Sequence, residues 1–402
     1  MINIAILGFG VVGGGVADLI TKNYKEVTEL GGDGINIKYI LDLRDFPDSP
    51  FADRVIHDYQ TIVSDPEIHT VIEVMGGSHP AYEFTVQALC AGKNVITSNK
   101  EVVANFGDEF MALAEKHGVC YRFEAAVGGG IPVLSPIISC VKQNRISEVR
   151  GILNGTTNYI LTKMFTFGDS FENALADAQA RGYAERNPDA DILGIDASRK
   201  IAILGALVTG KLIPTSMIHT EGITKVRHED VIAAEKVGMK IKLLGRCIVS
   251  DEGISIMVAP FMLNSDSALS GVSGVYNAVE VVGEPIKSVM FYGPGAGAGP
   301  TASAVVGDLM EIMCSGRHCA MPTMVKDRES ACSFDSFKCR SYIAIKGGCM
   351  GCVREAFGDA QPIEAEGEIA FITESMSEAA VAEAIAKLEG KGAALLSRIR
   401  LL

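Results

Sequence analysis

Lys200 follows Asp196 by one helical turn in Asp196-Ala197-Ser198-Arg199-Lys200, and the residues after it, Ile201 to Leu207, are apolar nearly all round. At that spacing the two side chains share a face, and a helix that is apolar on every side is buried. An ammonium at the mouth of such a core needs anionic partners, and once partly desolvated it can exchange protons. A surface ion pair is the plainer reading of an Asp–Lys spacing, and the apolar run argues against it. More ionisable groups precede the pair in Arg181-Gly182-Tyr183-Ala184-Glu185 and at Asp191. Further upstream, Asn154-Gly155-Thr156-Thr157-Asn158 is a dense polar run ahead of a helix expected over Tyr159 to Phe165. Its residue types suit an N-cap with extra turn residues.

The start of the chain carries a different chemistry. Ile2 to Leu7 reads as a short buried strand, followed by Gly8-Phe9-Gly10-Val11-Val12-Gly13 and an amphipathic helix over about Val11 to Tyr24. Gly8 permits a tight turn, Gly10 lets backbone approach a pyrophosphate, and Gly13 lets helix and strand pack closely. The helix N-terminus supplies N–H groups and partial positive charge. A second strand is expected over Ile37 to Leu41, after a turn at Gly31-Gly32-Asp33-Gly34. At its end, Asp42 suits a ribose 2′-hydroxyl and Arg44 a 2′-phosphate, and either could be a solvated loop charge. The residues leave NAD and NADP both open.

Further strands are expected over Val71 to Val74, Asn94 to Thr97 and Val119 to Glu124, with helices over His79 to Ala91 and Asp108 to His117 between them. This alternation calls for a doubly wound parallel sheet, the Rossmann form of the α/β class. Ligands bind beyond the C-terminal strand ends, which places Gly76, Gly77 and Lys100 at the cofactor face. The rhythm stops at Gly128-Gly129-Gly130-Ile131-Pro132. By residue type that loop reads first as a hinge, although its carbonyls can also converge on a small cation.

At 402 residues two or three domains are expected. The net charge of −13 excludes broad nucleic-acid or acidic-lipid binding, which needs clustered Lys and Arg. The ten Cys do not read as a disulfide framework, and no apolar run is long enough to span a bilayer. The opening Met1-Ile2-Asn3-Ile4 lacks a signal-peptide pattern, so a cytoplasmic protein with no membrane partner is expected. The seven His have no ligand spacing, and no catalytic metal is expected.

Taken together, the glycine motif at Gly8 to Gly15, Glu73-Val74-Met75-Gly76-Gly77, Thr97-Ser98-Asn99-Lys100 and Glu124 to Pro132 resemble homoserine dehydrogenase. So do Asn154 to Leu161, Arg181 to Glu185, Asp196 to Lys200, and Gly293-Pro294-Gly295-Ala296-Gly297, all in family order over about residues 1 to 320. The resemblance implies reversible NAD(P)H-dependent reduction of L-aspartate 4-semialdehyde to L-homoserine, in threonine, methionine and isoleucine biosynthesis. It makes Lys200 the proton donor and sets Lys100 beside substrate and nicotinamide. Glu185 and Asp196 would hold the substrate, with Asp191 an acidic neighbour. Gly182 and Gly297 would line the cofactor together with Gly8, Phe9, Gly10, Val11, Val12, Gly13, Arg44, Gly76 and Gly77. Backbone groups of Glu124, Val127, Gly129 and Ile131 would hold a sodium ion, reversing the hinge reading. A homodimer or homotetramer is implied. Competing readings are another amino-acid dehydrogenase on the same scaffold, or a non-catalytic sensor of dinucleotide and amino acid. The presence of Lys200 and Glu185 opposes both.

The expected architecture has three parts: a Rossmann domain over 1–130, an α+β catalytic and dimerisation domain over 131–325, whose final helix returns to the Rossmann domain, and a small ferredoxin-like tail over 335–402. The tail, with strands at Tyr342 to Ile345, Ile369 to Thr373 and Ser397 to Leu401 and a helix over Glu378 to Leu388, resembles a degenerate ACT domain. The segment Gly347-Gly348-Cys349-Met350-Gly351-Cys352 departs from that module: it lacks the usual turn and is expected to be shortened where a helix follows. That departure predicts weak or absent threonine binding. Cys349 and Cys352 form one CxxC without a second pair, which reads as small turn residues in preference to a zinc or redox site.

Overall fold

The computed structural model of the chain describes residues 1–31, 34–315 and 322–402. It resolves into two compact units, one of residues 1–144, 202–215 and 293–327 and one of residues 145–201, 216–292 and 328–402.

In the first unit, short apolar segments form β1 (Ile2–Leu7), β2 (Ile35–Leu41), β3 (Val55–Ile56), β4 (Ile68–Glu73), β5 (Asn94–Thr97) and β6 (Tyr121–Arg122). They make a six-stranded parallel sheet in the order β3-β2-β1-β4-β5-β6. This is the Rossmann order, and its direction reverses between β1 and β4, where such sheets bind their ligand. Around it lie α1 (Val11–Lys22), α2 (Tyr24–Gly31), α3 (Tyr59–Ser64), α4 (Ala81–Cys90), α5 (Lys100–His117) and α6 (Leu134–Val141). The helix Ala298–Ser315 lies so close to α1 that a Cβ on Gly15 would stand 3.2 Å from both the Ala298 carbonyl oxygen and the Ala302 Cβ. Ile4, Ile6, Ile40, Ile72 and Ile96 from the strands close on Val305 and Leu309 of that helix.

Several element boundaries differ from the sequence reading, two of them for reasons the structure shows. The helix expected from Asp108 begins at Lys100, because the Asn99 side-chain oxygen accepts the N–H groups of Glu101 and Val102 and caps it there. The strand expected over Val119 to Glu124 shortens to Tyr121–Arg122, since Glu124–Ala126 tightens into a 3-10 turn. Of the turn expected before β2, Gly32 and Asp33 lie outside the described residues.

The second unit is built on a mixed sheet. Strands Met239–Ser250 and Gly253–Asn264 form a long antiparallel hairpin, and Arg145–Ile152 pairs antiparallel with both Met239–Ser250 and Tyr276–Glu284. The last strand, Ala394–Leu401, joins Gly253–Asn264 in parallel through Phe261–Arg400 and Met262–Leu401, so the tail extends the same sheet. Within the tail the order is strand Ser341–Lys346, helix Met350–Phe357, strands Ala360–Ile363 and Ile369–Thr373, helix Glu378–Glu389 and strand Ala394–Leu401. The final strand lies beside the first, which is the ferredoxin-like arrangement.

The segment after Gly347 carries a short helix, Met350–Phe357, whose Val353 and Phe357, one turn apart, bury in the tail core with Ile343, Phe371 and Val381. Among the described residues no helix is long and apolar enough to cross a membrane. Cys120 is disulfide-bonded, whereas Cys349 and Cys352 are free thiols.

Arg400 ties the tail strand to its unit. Only 1% exposed, it pairs with Glu378 at 2.8 and 3.0 Å and with Glu221 at 2.8 and 2.9 Å. Among the described residues, removing it leaves Glu378 only Arg398, at 2.9 Å, and Glu221 only His219, at 2.6 Å, and the lost charge-assisted hydrogen bonds cost roughly 1.5–3 kcal/mol. Arg400→Met should therefore lower the urea midpoint substantially; an unchanged midpoint would show the network to be dispensable.

Candidate active site

The loop between β1 and α1 shows why each glycine is needed. Gly8 has φ +93°, a left-handed conformation that side chains disfavour, and a Cβ there would press on Met75 at 3.1 Å. A Cβ on Gly13 would lie 2.0 Å from the Gly8 carbonyl oxygen, so no larger residue fits. Gly10 has nothing within 4 Å of its missing Cβ and is exposed, leaving backbone open to a ligand. Phe9 points the other way, edge-on to Phe46 and Phe51. Val11 is exposed at the first position of α1, and Val12 packs against the sheet core.

Asp42 stands at the end of β2. One of its oxygens accepts the Phe9 N–H at 2.8 Å, and Arg44 reaches both oxygens at 3.0 and 3.2 Å. Partial burial raises the carboxyl, but the Arg44 guanidinium and the Phe9 N–H outweigh it and hold Asp42 at about 2. Asp42 and Arg44, left as alternatives by the sequence, are thus partners. Both line a cavity of about 540 Å³ with Gly8, Gly10, Met75 and Gly76.

Beyond β4 and β5 the loops are held by a residue to which the sequence reading gave no role. Glu73 is fully buried; its carboxylate accepts the Met75 N–H at 2.8 Å and the Thr97 hydroxyl at 2.6 Å. Thr97 in turn accepts the Asn99 N–H at 2.9 Å, and the Asn99 amide donates to the Gly77 carbonyl at 2.7 Å. The Gly76-Gly77 loop and the start of α5, where Lys100 sits half-buried, are thereby fixed to each other. Burial pushes Glu73 up to about 7, against the hydrogen bonds from Thr97 and Met75.

The second unit brings together the ionisable residues of the central sequence. In the helix Ile195–Thr209, the Lys200 ammonium lies 2.7 Å from Asp196 and donates to the Leu153 carbonyl at 2.7 Å. Lys200 is 8% and Asp196 6% exposed, so this is a buried pair, as the apolar run implied. Asn154 organises its surroundings. Its amide nitrogen donates to Asp191 at 2.7 Å and to Asp196 at 3.0 Å, and its oxygen caps the helix Gly155–Phe167 through the Thr157 N–H. Burial and the nearby Asp196 charge raise Asp191, with the Asn154 amide opposing. Thr156 donates to the Tyr183 carbonyl at 2.6 Å, fastening the Arg181-to-Glu185 turn.

The comparisons with known proteins agree with one another. Residues 8–124 match the family model described as the homoserine dehydrogenase NAD-binding domain, and residues 132–310 match that of homoserine dehydrogenase. A homoserine dehydrogenase from Synechocystis is 37% identical over 383 residues, spanning 89% of this chain and 87% of its own length. The chain belongs to the homoserine dehydrogenase family. The crystal structure of a homoserine dehydrogenase from Thiobacillus denitrificans has a TM-score of 0.91 at 33% identity, covering 100% of this chain and 98% of its own. A hyperthermophilic archaeal homoserine dehydrogenase mutant in complex with NADPH has a TM-score of 0.66 at 28% identity, covering 78% of this chain and 98% of its own. This chain is accordingly an NAD(P)-dependent oxidoreductase of that family.

Against the family's expected site residues, the structure gathers Lys200, Asp196 and Asp191 in one cluster. Glu185 is exposed and joins none of the cluster's hydrogen bonds among the described residues; its carbonyl accepts from Gln179. Gly182 takes φ +74° with open space where a Cβ would stand, and Gly297 takes φ +122° before the helix Ala298–Ser315. Glu124 uses its carboxylate on the N–H groups of Val133, Leu134 and Ser135, at 2.6 to 2.9 Å, and so caps α6. The loop after it is buried, with Gly128 and Gly129 at φ +80° and +58°. A Cβ on Gly129 would stand 2.5 Å from the Gly295 carbonyl, so close packing is what demands a glycine there.

Glu73 gives this site a pH signature. Its value is raised from 4.5 to about 7, so its contribution to stability is complete below about 4.5 and is lost as pH rises through 7. Glu73→Gln cannot ionise. The stability of the variant relative to the parent should therefore improve by up to about 3 kcal/mol between pH 4.5 and 8, read from denaturation midpoints. A pH-independent difference would mean that Glu73 does not titrate in this range.

Proposed function

We propose that this chain interconverts L-aspartate 4-semialdehyde and L-homoserine, with Lys200 as the proton donor to the carbonyl oxygen. The observation that carries the reading is the environment of the Lys200 ammonium. It is ion-paired with Asp196 at 2.7 Å and donates to the Leu153 carbonyl, and an ammonium with three N–H donors can also serve a substrate oxygen. The bound nicotinamide supplies or accepts the hydride at the carbonyl carbon. As negative charge develops on the oxygen, the Lys200 ammonium donates one proton there and becomes a neutral amine, and in the reverse direction it takes that proton back. Asp196, oriented by Asn154, holds the ammonium in place. Asp191 and Glu185 supply negative charge for the substrate's own ammonium, and Lys100, at the start of α5, acts beside the nicotinamide.

The cofactor lies on Gly8 to Gly13, with Gly76, Gly77, Gly182 and Gly297 lining it and Arg44 meeting a 2′-phosphate when NADP is bound. The buried loop from Glu124 to Ile131 suits a sodium ion held by the carbonyl oxygens of Glu124, Val127, Gly129 and Ile131, since hard cations take neutral oxygen donors. The ion would fix the loop and contribute no step. In the tail, the ferredoxin-like strand order supports an ACT-like module that serves assembly into a homodimer or homotetramer.

Steady-state assay of homoserine oxidation with NAD and NADP tests the reading. Lys200→Ala should lower kcat by about a hundredfold to ten-thousandfold while cofactor affinity stays near normal. Near-normal turnover would remove Lys200 from the mechanism. Glu185→Gln should raise the KM for homoserine; an unchanged KM in a folded variant would place the substrate elsewhere. Arg44→Ala should weaken NADPH binding far more than NADH binding. Equal loss for both would leave Asp42 as the discriminating group.

A further inference from the structure

The tail contains a cysteine pair outside the oxidoreductase site. After strand Ser341–Lys346, Gly347 and Gly348 take φ +83° and +77° and turn the chain into the helix Met350–Phe357. Cys349 falls on the N-cap of that helix, a position that Ser, Thr, Asp and Asn ordinarily fill. Its sulfur does their work, accepting the Cys352 N–H at 3.3 Å. The spacing of three then brings Cys352 onto the first turn, and the two sulfurs lie 3.1 Å apart. Both are free thiols, Cys349 exposed and Cys352 half-buried.

We propose that Cys349 and Cys352 form a redox-active dithiol, a site for thiol–disulfide exchange with a small disulfide. Three features converge on it. The positive end of a helix favours a thiolate at the N-cap. The Lys391 ammonium, paired with Glu355 at 2.6 Å, adds positive charge nearby. The Cys352 thiol and N–H hydrogen-bond Cys349 and lower it, while the same contact raises Cys352. Cys349 is therefore the attacking sulfur and Cys352 the resolving one. A metal would need further ligands, and among the described residues no group of three His, Cys, Asp or Glu is placed to hold one. The sequence alone favoured ordinary turn residues, because spacing does not reveal the cap or the approach of the sulfurs.

The exchange balances in two steps. Cys349 thiolate attacks one sulfur of the disulfide, forming a mixed disulfide and releasing one thiolate. Cys352 then gives up its proton and attacks the Cys349 sulfur, closing the Cys349–Cys352 bond and releasing the second thiolate. The two cysteines are oxidised, and the small disulfide is reduced to two thiols.

Glutathione disulfide is the probe, used on the full chain with peptide mass mapping. The parent should yield a linked Cys349–Cys352 peptide without a lasting adduct. Cys352→Ser should retain glutathione on Cys349, and Cys349→Ser should accumulate none in this peptide. In the reduced parent, iodoacetamide at neutral pH should label Cys349 at least about tenfold faster than exposed Cys90. Failure of the linked peptide to form, or labelling of Cys349 no faster than Cys90, overturns the proposal. Thermal midpoints of both serine variants near the parent's show that the chemistry, and not unfolding, is being read.

Discussion

An ammonium that is 8% exposed cannot stand alone, because desolvating a charge costs several kcal/mol unless oxygen atoms replace the water. Lys200 sits under this constraint, and much of the second unit is arranged to meet it. Asp196 is supplied by the same helix, one turn away, and the Leu153 carbonyl by the end of a strand. Asp196 is then itself a buried carboxylate close to a second one, Asp191, and like charges in one place oppose ionisation. The Asn154 amide answers both with its two N–H groups while its oxygen starts a helix. One side chain thus couples a helix terminus, two carboxylates and, through Asp196, the lysine.

The first unit solves a different problem, that of bringing backbone against backbone. The 2.0 Å clash that any Cβ on Gly13 would make with the Gly8 carbonyl fixes α1 against β1, and the approach of Gly15 to Ala298 and Ala302 fixes the later helix against α1. With those contacts set, the loops at the strand ends need only local ties. Glu73, Thr97 and Asn99 provide one, Asp42 and Arg44 another. Glu124 gives a third: its carboxylate caps α6, and its own N–H donates to Asp308, a carboxyl that burial raises to about 8.

What the sequence made legible follows from how local each feature is. The Gly8-to-Gly13 turn, the alternating strands and the Asp196–Lys200 pair depend on spacings of a few residues, and each lies where the pattern put it. Asn154 and Glu73 depend on partners 37 and 24 residues away, so their residue types gave only a cap and an unassigned acid. The start of α5 was lost because a cap, not hydrophobic periodicity, defines it. The tail helix was lost because Met350 to Phe357 offers only two buried positions, preceded by glycines that look like loop. Glu185 rests on family resemblance alone; within its unit it is an exposed side chain.

A second buried lysine shows what distinguishes Lys200. Lys242 is 3% exposed in the same unit, and its ammonium meets the Asn158 side-chain oxygen at 3.0 Å and the Val272 carbonyl at 2.5 Å. These partners are neutral, and burial pushes Lys242 down to about 8, with Lys240 adding to the effect. Asn158 spends its amide on the Tyr276 carbonyl, so the polar run that begins at Asn154 serves both lysines from one helix. The difference is Asp196. A carboxylate at 2.7 Å favours the charged form of its partner, which neutral oxygens do far less well. Lys242 is thereby suited to joining strand, helix and loop. Lys200 is instead held against a carboxylate, in a cluster that Asn154 extends to Asp191.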